Sequence, residues 1–431
     1  MNLSRNALLA LCFSLLPLAP ANLAAQDLKS DDPKERSRAA RQLGDQGAAT
    51  SIPDLAELVN DPVAEVRADA VRAIIKIGTQ YSLPPLQEAT RDATPEIQAM
   101  AVDGLVNFYY PGYIRTGWTA ALRNFGGELK DRFRRPEPIV VDPYVTVPSE
   151  VIDAIGRVIV GGTSMDSRAN AARAAGILRG RSALPQLVEA LRARNTTVIF
   201  ESVKAIEKIG DREIGPSLTF LIRDPDRNVQ LAVVQAMGQL QVKSAAPDLV
   251  DLAKTSNRRD VRRQALISLA KLSPADQRPV FQSFLTDKDA QMRAGAAEGL
   301  GRLGDQADLQ RLVDAFADEK NESARLSMAF AAVHLGDLSF LNYLYDGLNS
   351  TFHRGEARPF LVELARKPEV LSQIYAPLAA GTIDQKKELA YVVSVSGNRE
   401  SMQHLEKLSR DSNPEVAQEA IRALKNLQAR L

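Results

Sequence analysis

Three histidines, His334, His353 and His404, are the residues best suited to metal or proton chemistry in a chain whose only cysteine is Cys12. Metal hydrolases need at least two such ligands at helical spacing, as in H-E-x-x-H. Here the histidines are followed by Leu335, Arg354 and Leu405, and no His pair, His-Glu pair or Cys-His set forms. A phosphate-cradling loop needs glycines followed by Lys and Ser or Thr, which GRLGD (Gly301–Asp305) and FGG (Phe125–Gly127) lack. G-x-S-x-G, the turn that exposes a nucleophilic serine, is absent. Carboxylates are spread evenly, so pairs arise by chance and do not indicate glycoside hydrolysis. The expectation is a protein that is not an enzyme and holds no cofactor or metal.

What the chain does carry is a period. Arg36, Arg67, Gln98, Arg168, Ile199, Gln230, Arg262, Arg293, Arg325, Arg354, Lys386 and Ala417 stand mostly 31 or 32 residues apart, with one interval of 70 and one of 29. Such a period marks stacked supersecondary units. Seven residues after every anchor the side chain is apolar, as at Leu43, Ile74, Ile206 and Leu300. A helix facing a neighbouring layer requires this. Four residues before the anchor, ten of twelve positions are Asp, Asn, Ser or Thr, which accept bonds from the free amides of a first helical turn. Each anchor therefore belongs to the start of a helix of about three turns. A second series, Pro53, Pro84, Pro185, Pro216, Pro247 and Pro279, opens the other helix of each unit. The anchored helices are expected to close on Gly-Asp at Gly44-Asp45, Gly210-Asp211, Gly304-Asp305 and Gly336-Asp337.

The pattern D-x-x-x-x-V-R-x-x-A-x-x-A-[LI]-x-x-[LI]-G, nearly whole at Asp61–Gly78 and Asp287–Gly304, resembles HEAT repeats of the phycobilisome-lyase-like type. The resemblance extends in weaker form over Asp32 to Leu431. It implies an all-α fold: an α-α superhelix of the HEAT or armadillo kind, with about twelve helical hairpins and one insertion. Most members of the family act as binding scaffolds. Some HEAT-repeat hydroxylases bind metal through His-Glu dipeptides, which this chain lacks.

Composition sets further bounds. Lys plus Arg is 54 and Asp plus Glu is 53, a formal net charge of +1, so no global field favours nucleic acid. Residues 1–25 read as a secretory signal peptide: Arg5, an apolar run from Ala7 to Leu18, and small residues at Ala21 or Ala25 for cleavage. The run is too short to span a bilayer, so the mature chain is expected to lack a transmembrane segment and to work in a periplasm or outside the cell. Cys12 would leave with the signal.

The chain then divides into repeats at 26–108, an insertion at 109–147, and repeats at 148–431 continuous with the first block. The insertion is rich in aromatic residues, including Tyr113 and Trp118, the only tryptophan. A helix begun at Thr116 to Arg134 is ended by prolines, and Ile139–Val147 reads as extended. Two readings stay open: a partner-binding arm, or a plug over the edge of the stack.

A partner surface is expected along the anchored helices, at positions five and nine after each anchor. The candidates are Arg72, Lys76, Arg173, Lys204, Lys208, Lys271, Arg302, Phe330 and Tyr391, with Tyr113 and Trp118 from the insertion. Solenoids read extended ligands with such ridges. The function expected is an exported, non-catalytic scaffold for another protein or peptide segment. A lyase-like accessory handling a chromophore or other ligand, and a module binding a glycan or anionic surface, are the alternatives.

Overall fold

The computed structural model describes residues 27–113, 139–142 and 144–431, and among them there are helices and turns but no strand. The chain divides into two compact units, Met1–Leu86 and Gln87–Leu431. The twelve anchor-bearing helices are α1 (Pro33–Gln46) and α2 (Ala64–Ile77) in the first unit. In the second they are α3 (Pro95–Tyr109), α4 (Met165–Ile177), α5 (Thr196–Ile209), α6 (Arg227–Gln239), α7 (Arg259–Leu272), α8 (Ala290–Leu303), α9 (Glu322–His334), α10 (Arg354–Leu364), α11 (Ile383–Ser396) and α12 (Pro414–Arg430). Shorter helices such as Leu184–Ala190 and Arg278–Phe284 pack behind them, with proline near their starts. Each unit is thus a stack of helical hairpins, and the second is an α-α solenoid.

Why the anchors recur is visible in their bonds. In eleven of the twelve helices the anchor is the fourth residue. Eight of the polar residues four positions earlier cap their helices, among them Asp32, Asn195, Asp289 and Asn413. An anchor cation then reaches an acid that precedes the next anchored helix. Arg36 grips Asp61 at 2.7 and 3.0 Å, Arg293 grips Glu319 at 2.6 and 2.9 Å, and Lys386 bonds Asp411 at 2.8 Å. The bond from Arg293 holds the Glu319 carboxyl down at about 2. The same acids bond the amide two residues on, as Asp61 does for Val63 and Asp411 for Asn413. One side chain therefore fixes both a loop and the neighbouring layer.

Small residues set the distance between layers. A Cβ on Gly301 of α8 would lie 2.7 Å from the Ala331 Cα of α9, and one on Gly176 of α4 would lie 2.7 Å from the Ala205 Cα of α5. Only glycine permits that approach. Gly44 obeys the same rule against Ala73, which corrects the expectation that it ends α1. The left-handed cap of α1 is Gly47, at φ 70°. Gly210, Gly304 and Gly336 do follow their helices with positive φ.

Within the second unit the layers on either side of the insertion pack on each other. Gln98 of α3 bonds the Thr90 carbonyl through its amide nitrogen at 2.9 Å and accepts from the Thr163 amide at 3.0 Å. Helix α4 thus packs directly on α3, after an outer helix at Ser149–Gly161. The extended piece finds no strand partner among the described residues; the Val141 amide bonds the Ile177 carbonyl at 2.9 Å. Residues 1–25 and the whole of Thr116–Arg134, Trp118 included, lie outside the described residues.

One layer departs from the period. Arg354 is the first residue of α10 rather than the fourth. Ser350 still accepts from the Phe352 and His353 amides, but the helix starts one turn later. The interval of 29 is the trace of this shift.

Candidate functional site

In the second unit much of the ridge is bonded into networks of charged and aromatic side chains rather than standing as a free surface. It begins at Asp103 of α3, buried and bonded by the Asn170 amide of α4 at 2.9 Å. Burial pushes the Asp103 carboxyl up to about 6, with Asn170 and Arg173 opposing the shift. Tyr113, just past α3, is buried in the field of Asp103, Arg173 and Glu201, and burial raises its hydroxyl pKa. This corrects its expected role as a surface contact. The start of the insertion folds onto the ridge.

Arg173 of α4 bonds Glu201 of α5 at 2.9 Å. Burial works against its charge, and Glu201 outweighs it. On α5, Lys204 bonds Glu207 at 2.5 Å, and Gln235 of α6 bonds the other oxygen of Glu207 at 2.6 Å. Lys208 lies half-buried on the same helix. Three layers on, Arg302 of α8 bonds Glu298 at 2.9 Å and grips Glu363 of α10 through two bonds of 2.8 and 2.9 Å. That second pair skips a layer, so the inner faces of α8 and α10 converge over α9.

Phe330 of α9 fills the gap beneath. It is 0% exposed, stacks on Phe360 at 4.6 Å between centroids, and lies 4.8 Å below the Arg302 guanidinium. The expectation that Phe330 faces solvent is therefore wrong: curvature closes the ridge over it. Arg302 is likewise mostly buried and fully committed. Tyr391 of α11 remains 37% exposed under the Arg358 guanidinium, which also bonds Glu388. In the first unit, Arg72 pairs with Asp69 and Lys76 with Asp45, the latter fully on the surface.

The acids were the residues missing from the candidates. Asp69, Glu201 and Glu388 all stand two positions after an anchor, and that recurrence was the available signal. Glu363, nine positions after Arg354, falls on the expected ridge, but its pairing with Arg302 two layers away gave no signal in the sequence.

The ridge ends in a long-range contact. Asp142, in the return from the insertion, accepts two bonds from Arg422 of α12 at 2.9 and 3.2 Å, and the Tyr144 hydroxyl joins at 3.2 Å. The first and last parts of the second unit meet there.

The histidines are dispersed. His334 packs against Phe330, His404 stacks on Tyr375 at 3.8 Å, and His353 lies 3.6 Å from Glu356. Among the described residues no group of three or more His, Cys, Asp or Glu side chains is placed to hold a metal. No described helix is long and apolar enough to cross a membrane. A cleft at the starts of α7 to α9 contains arginines already committed: Arg262 bonds the Ala253 carbonyl and Arg263 bonds Asp289.

A family model described as HEAT repeats matches residues 21–106, 184–270 and 255–332, more than half of the chain. No curated protein matches it. Similar solved structures include an engineered protein at 19% identity, covering 94% of this chain and 98% of that one, with a TM-score of 0.39. The Escherichia coli protein YibA is 17% identical over 72% of this chain and 98% of its own, with a TM-score of 0.41. Kap121p bound to Pho4p is 12% identical over 95% of this chain and 57% of its own, with a TM-score of 0.43.

Proposed function

We propose that this chain, which belongs to the HEAT-repeat family, is a non-catalytic scaffold that holds a segment of another protein on the inner face of its second unit. The observation that carries the reading is the ridge itself. Charged, amide and aromatic side chains line it from Asp103 to Arg422, at positions where an outer surface needs only solubility. Its pairs leave Tyr391 exposed, packed on the buried Arg358 guanidinium, an aromatic surface of the kind interfaces favour. The finer kinship with phycobilisome-lyase-like repeats rests on the patterns at Asp61–Gly78 and Asp287–Gly304.

Capture of cross-linked partners by the full chain tests the proposal. Lys204→Gln with Tyr391→Ala should weaken capture of the same partner while helicity is unchanged. Neutral replacement is preferred at Lys204, because a reversed charge would face Glu207 at 2.5 Å. Undiminished capture by the double variant places the site elsewhere.

We also propose that the protein works outside the cytoplasm. The support is the sequence of residues 1–25, with Arg5 ahead of the apolar run Ala7–Leu18. Mass spectrometry of the natural protein should find the chain starting after Ala21 or Ala25. An intact first residue in a cytoplasmic pool rejects this.

A further inference from the structure

Where the chain passes from an outer helix into an anchored one, its charged side chains divide by sign. The five turns that lead into α5 to α9, each with the first residue of its helix, are 191–196, 222–227, 256–259, 285–290 and 319–322. Every exposed charged side chain in them is a cation: Arg192 and Arg194, then Arg223 and Arg227, then Arg259, Lys288 and Lys320. The acids of the same turns are half-buried and already engaged. Asp224 and Asp287 each accept from the amide two residues on, and Asp226 and Asp289 cap α6 and α8. Glu319 accepts from the Lys320 and Asn321 amides, and Glu322 from the Tyr343 hydroxyl. Capping turns the carboxylates inward and leaves the cations outside.

Successive anchored helices pack side by side, so these turns form one edge of the second unit. Arg223 pairs with Asp248 and Asp251, Arg227 pairs with Asp260, and Arg192 lies 5.5 Å over the Phe220 ring. Arg194, Arg259, Lys288 and Lys320 make no hydrogen bond or ion pair with any described residue. Lys271, by contrast, is half-buried on the inner face of α7. The whole chain has a formal charge of only +1, so the edge is a local accumulation. Apolar tips stand on the same edge. Phe220 is exposed, as are Met165 and Ile383, the first residues of α4 and α11, and Phe352 in the turn into α10 is 88% exposed. In the second unit the turns of the opposite edge, from anchored to outer helix, expose no large hydrophobic side chain among the described residues.

We propose that this edge docks on the surface of an anionic phospholipid bilayer. Cations alone would suit a nucleic acid as well. Met165 and Ile383, however, are aliphatic, and Phe352 projects almost free of the protein. Such tips gain by entering the interfacial region of a bilayer and gain nothing from a phosphodiester backbone. Layers at about 9 Å spacing spread the cations of five turns over roughly 35 Å, enough to meet many headgroups at once. Each unpaired cation close to the surface raises affinity about fivefold. The edge is separate from the inner face, so vesicle binding and partner capture can fail independently.

Sedimentation of the full chain with sucrose-loaded vesicles in about 0.1 M salt tests the docking. Vesicles with about 30% phosphatidylglycerol in phosphatidylcholine should carry the wild type down, and pure phosphatidylcholine should not. Arg194→Glu with Lys288→Glu should weaken binding at least about tenfold. Arg212→Glu with Lys243→Glu, exposed on the opposite edge, changes the net charge equally and should leave binding within about twofold. Phe352→Ser should weaken it about threefold or more. Circular dichroism checks that each variant is folded. If the reversals unfold the chain, Arg194→Gln with Lys288→Gln should still weaken binding at least about fivefold. Wild type that ignores the anionic vesicles, or binds both kinds equally, overturns the proposal. Equal loss in the two reversed pairs overturns it too, because net charge alone would then explain binding. Unchanged binding by Phe352→Ser removes the bilayer as the partner. A single-stranded oligonucleotide bound more tightly than the vesicles, and lost in Arg194→Glu with Lys288→Glu, would reassign the edge to nucleic acid.

Discussion

Replacing Asp103 by Asn should stabilise the protein, and by an amount that depends on pH. Asp103 is 5% exposed, bonded by one amide of Asn170, and its carboxyl is pushed up to about 6 by burial. An acid whose folded pKa is raised binds its proton more tightly in the folded state. Its contribution is therefore full below the unfolded value near 3.8 and is lost as pH rises through 6. The shift of about two units corresponds to roughly 3 kcal/mol at ~1.36 kcal/mol per unit. Asparagine keeps the acceptor for Asn170 and cannot ionise. Asp103→Asn should thus be about 3 kcal/mol more stable than wild type at pH 7.5 and within about 1 kcal/mol of it at pH 4. Urea unfolding of both proteins at the two pH values, followed by circular dichroism, measures this. A variant that is no more stable at pH 7.5, or a difference that ignores pH, refutes the claim that Asp103 is held unfavourably as an anion.

Gly301→Leu should cost about 2–3 kcal/mol, because the new Cβ meets the Ala331 backbone at 2.7 Å. Helix propensity alone predicts a gain of about 0.8 kcal/mol, so the sign of the change in thermal unfolding decides between the two. Arg422→Glu should enlarge the chain's radius of gyration by repelling Asp142, and adding Asp142→Arg should restore it. Small-angle scattering reads both; an unchanged radius in the single variant means the pair does not hold the second unit's ends together.

Local chemistry made the layers legible. A cap such as Asn195 and an apolar residue such as Ile206 act within their own helix, and the chain must repeat them wherever the helix repeats. The shift at α10 left a trace because it changes a spacing. The state of the ridge was not legible, since exposure there depends on curvature. Phe330 occupies the same register as Lys204, yet one is sealed by Arg302 reaching across a layer and the other is half-buried beside Glu207. Tyr113 likewise gave no sign of its burial, because its neighbours Asp103, Arg173 and Glu201 come from three different layers.

The bond between Asp142 and Arg422 links residues 280 positions apart in a fold otherwise built from neighbours. Closing a flexible loop of that length from the unfolded chain costs about 5 kcal/mol in entropy, far more than a half-exposed ion pair returns. The contact can form only after the intervening layers have stiffened the path between its ends. During synthesis α12 is the last of these helices to leave the ribosome, so the second unit stays an open coil of layers until α12 has been made. A chain cut short before Pro414 would keep its earlier layers and lose the partner of Asp142. Closure of that ion pair would then report that every layer from α4 to α12 had been made.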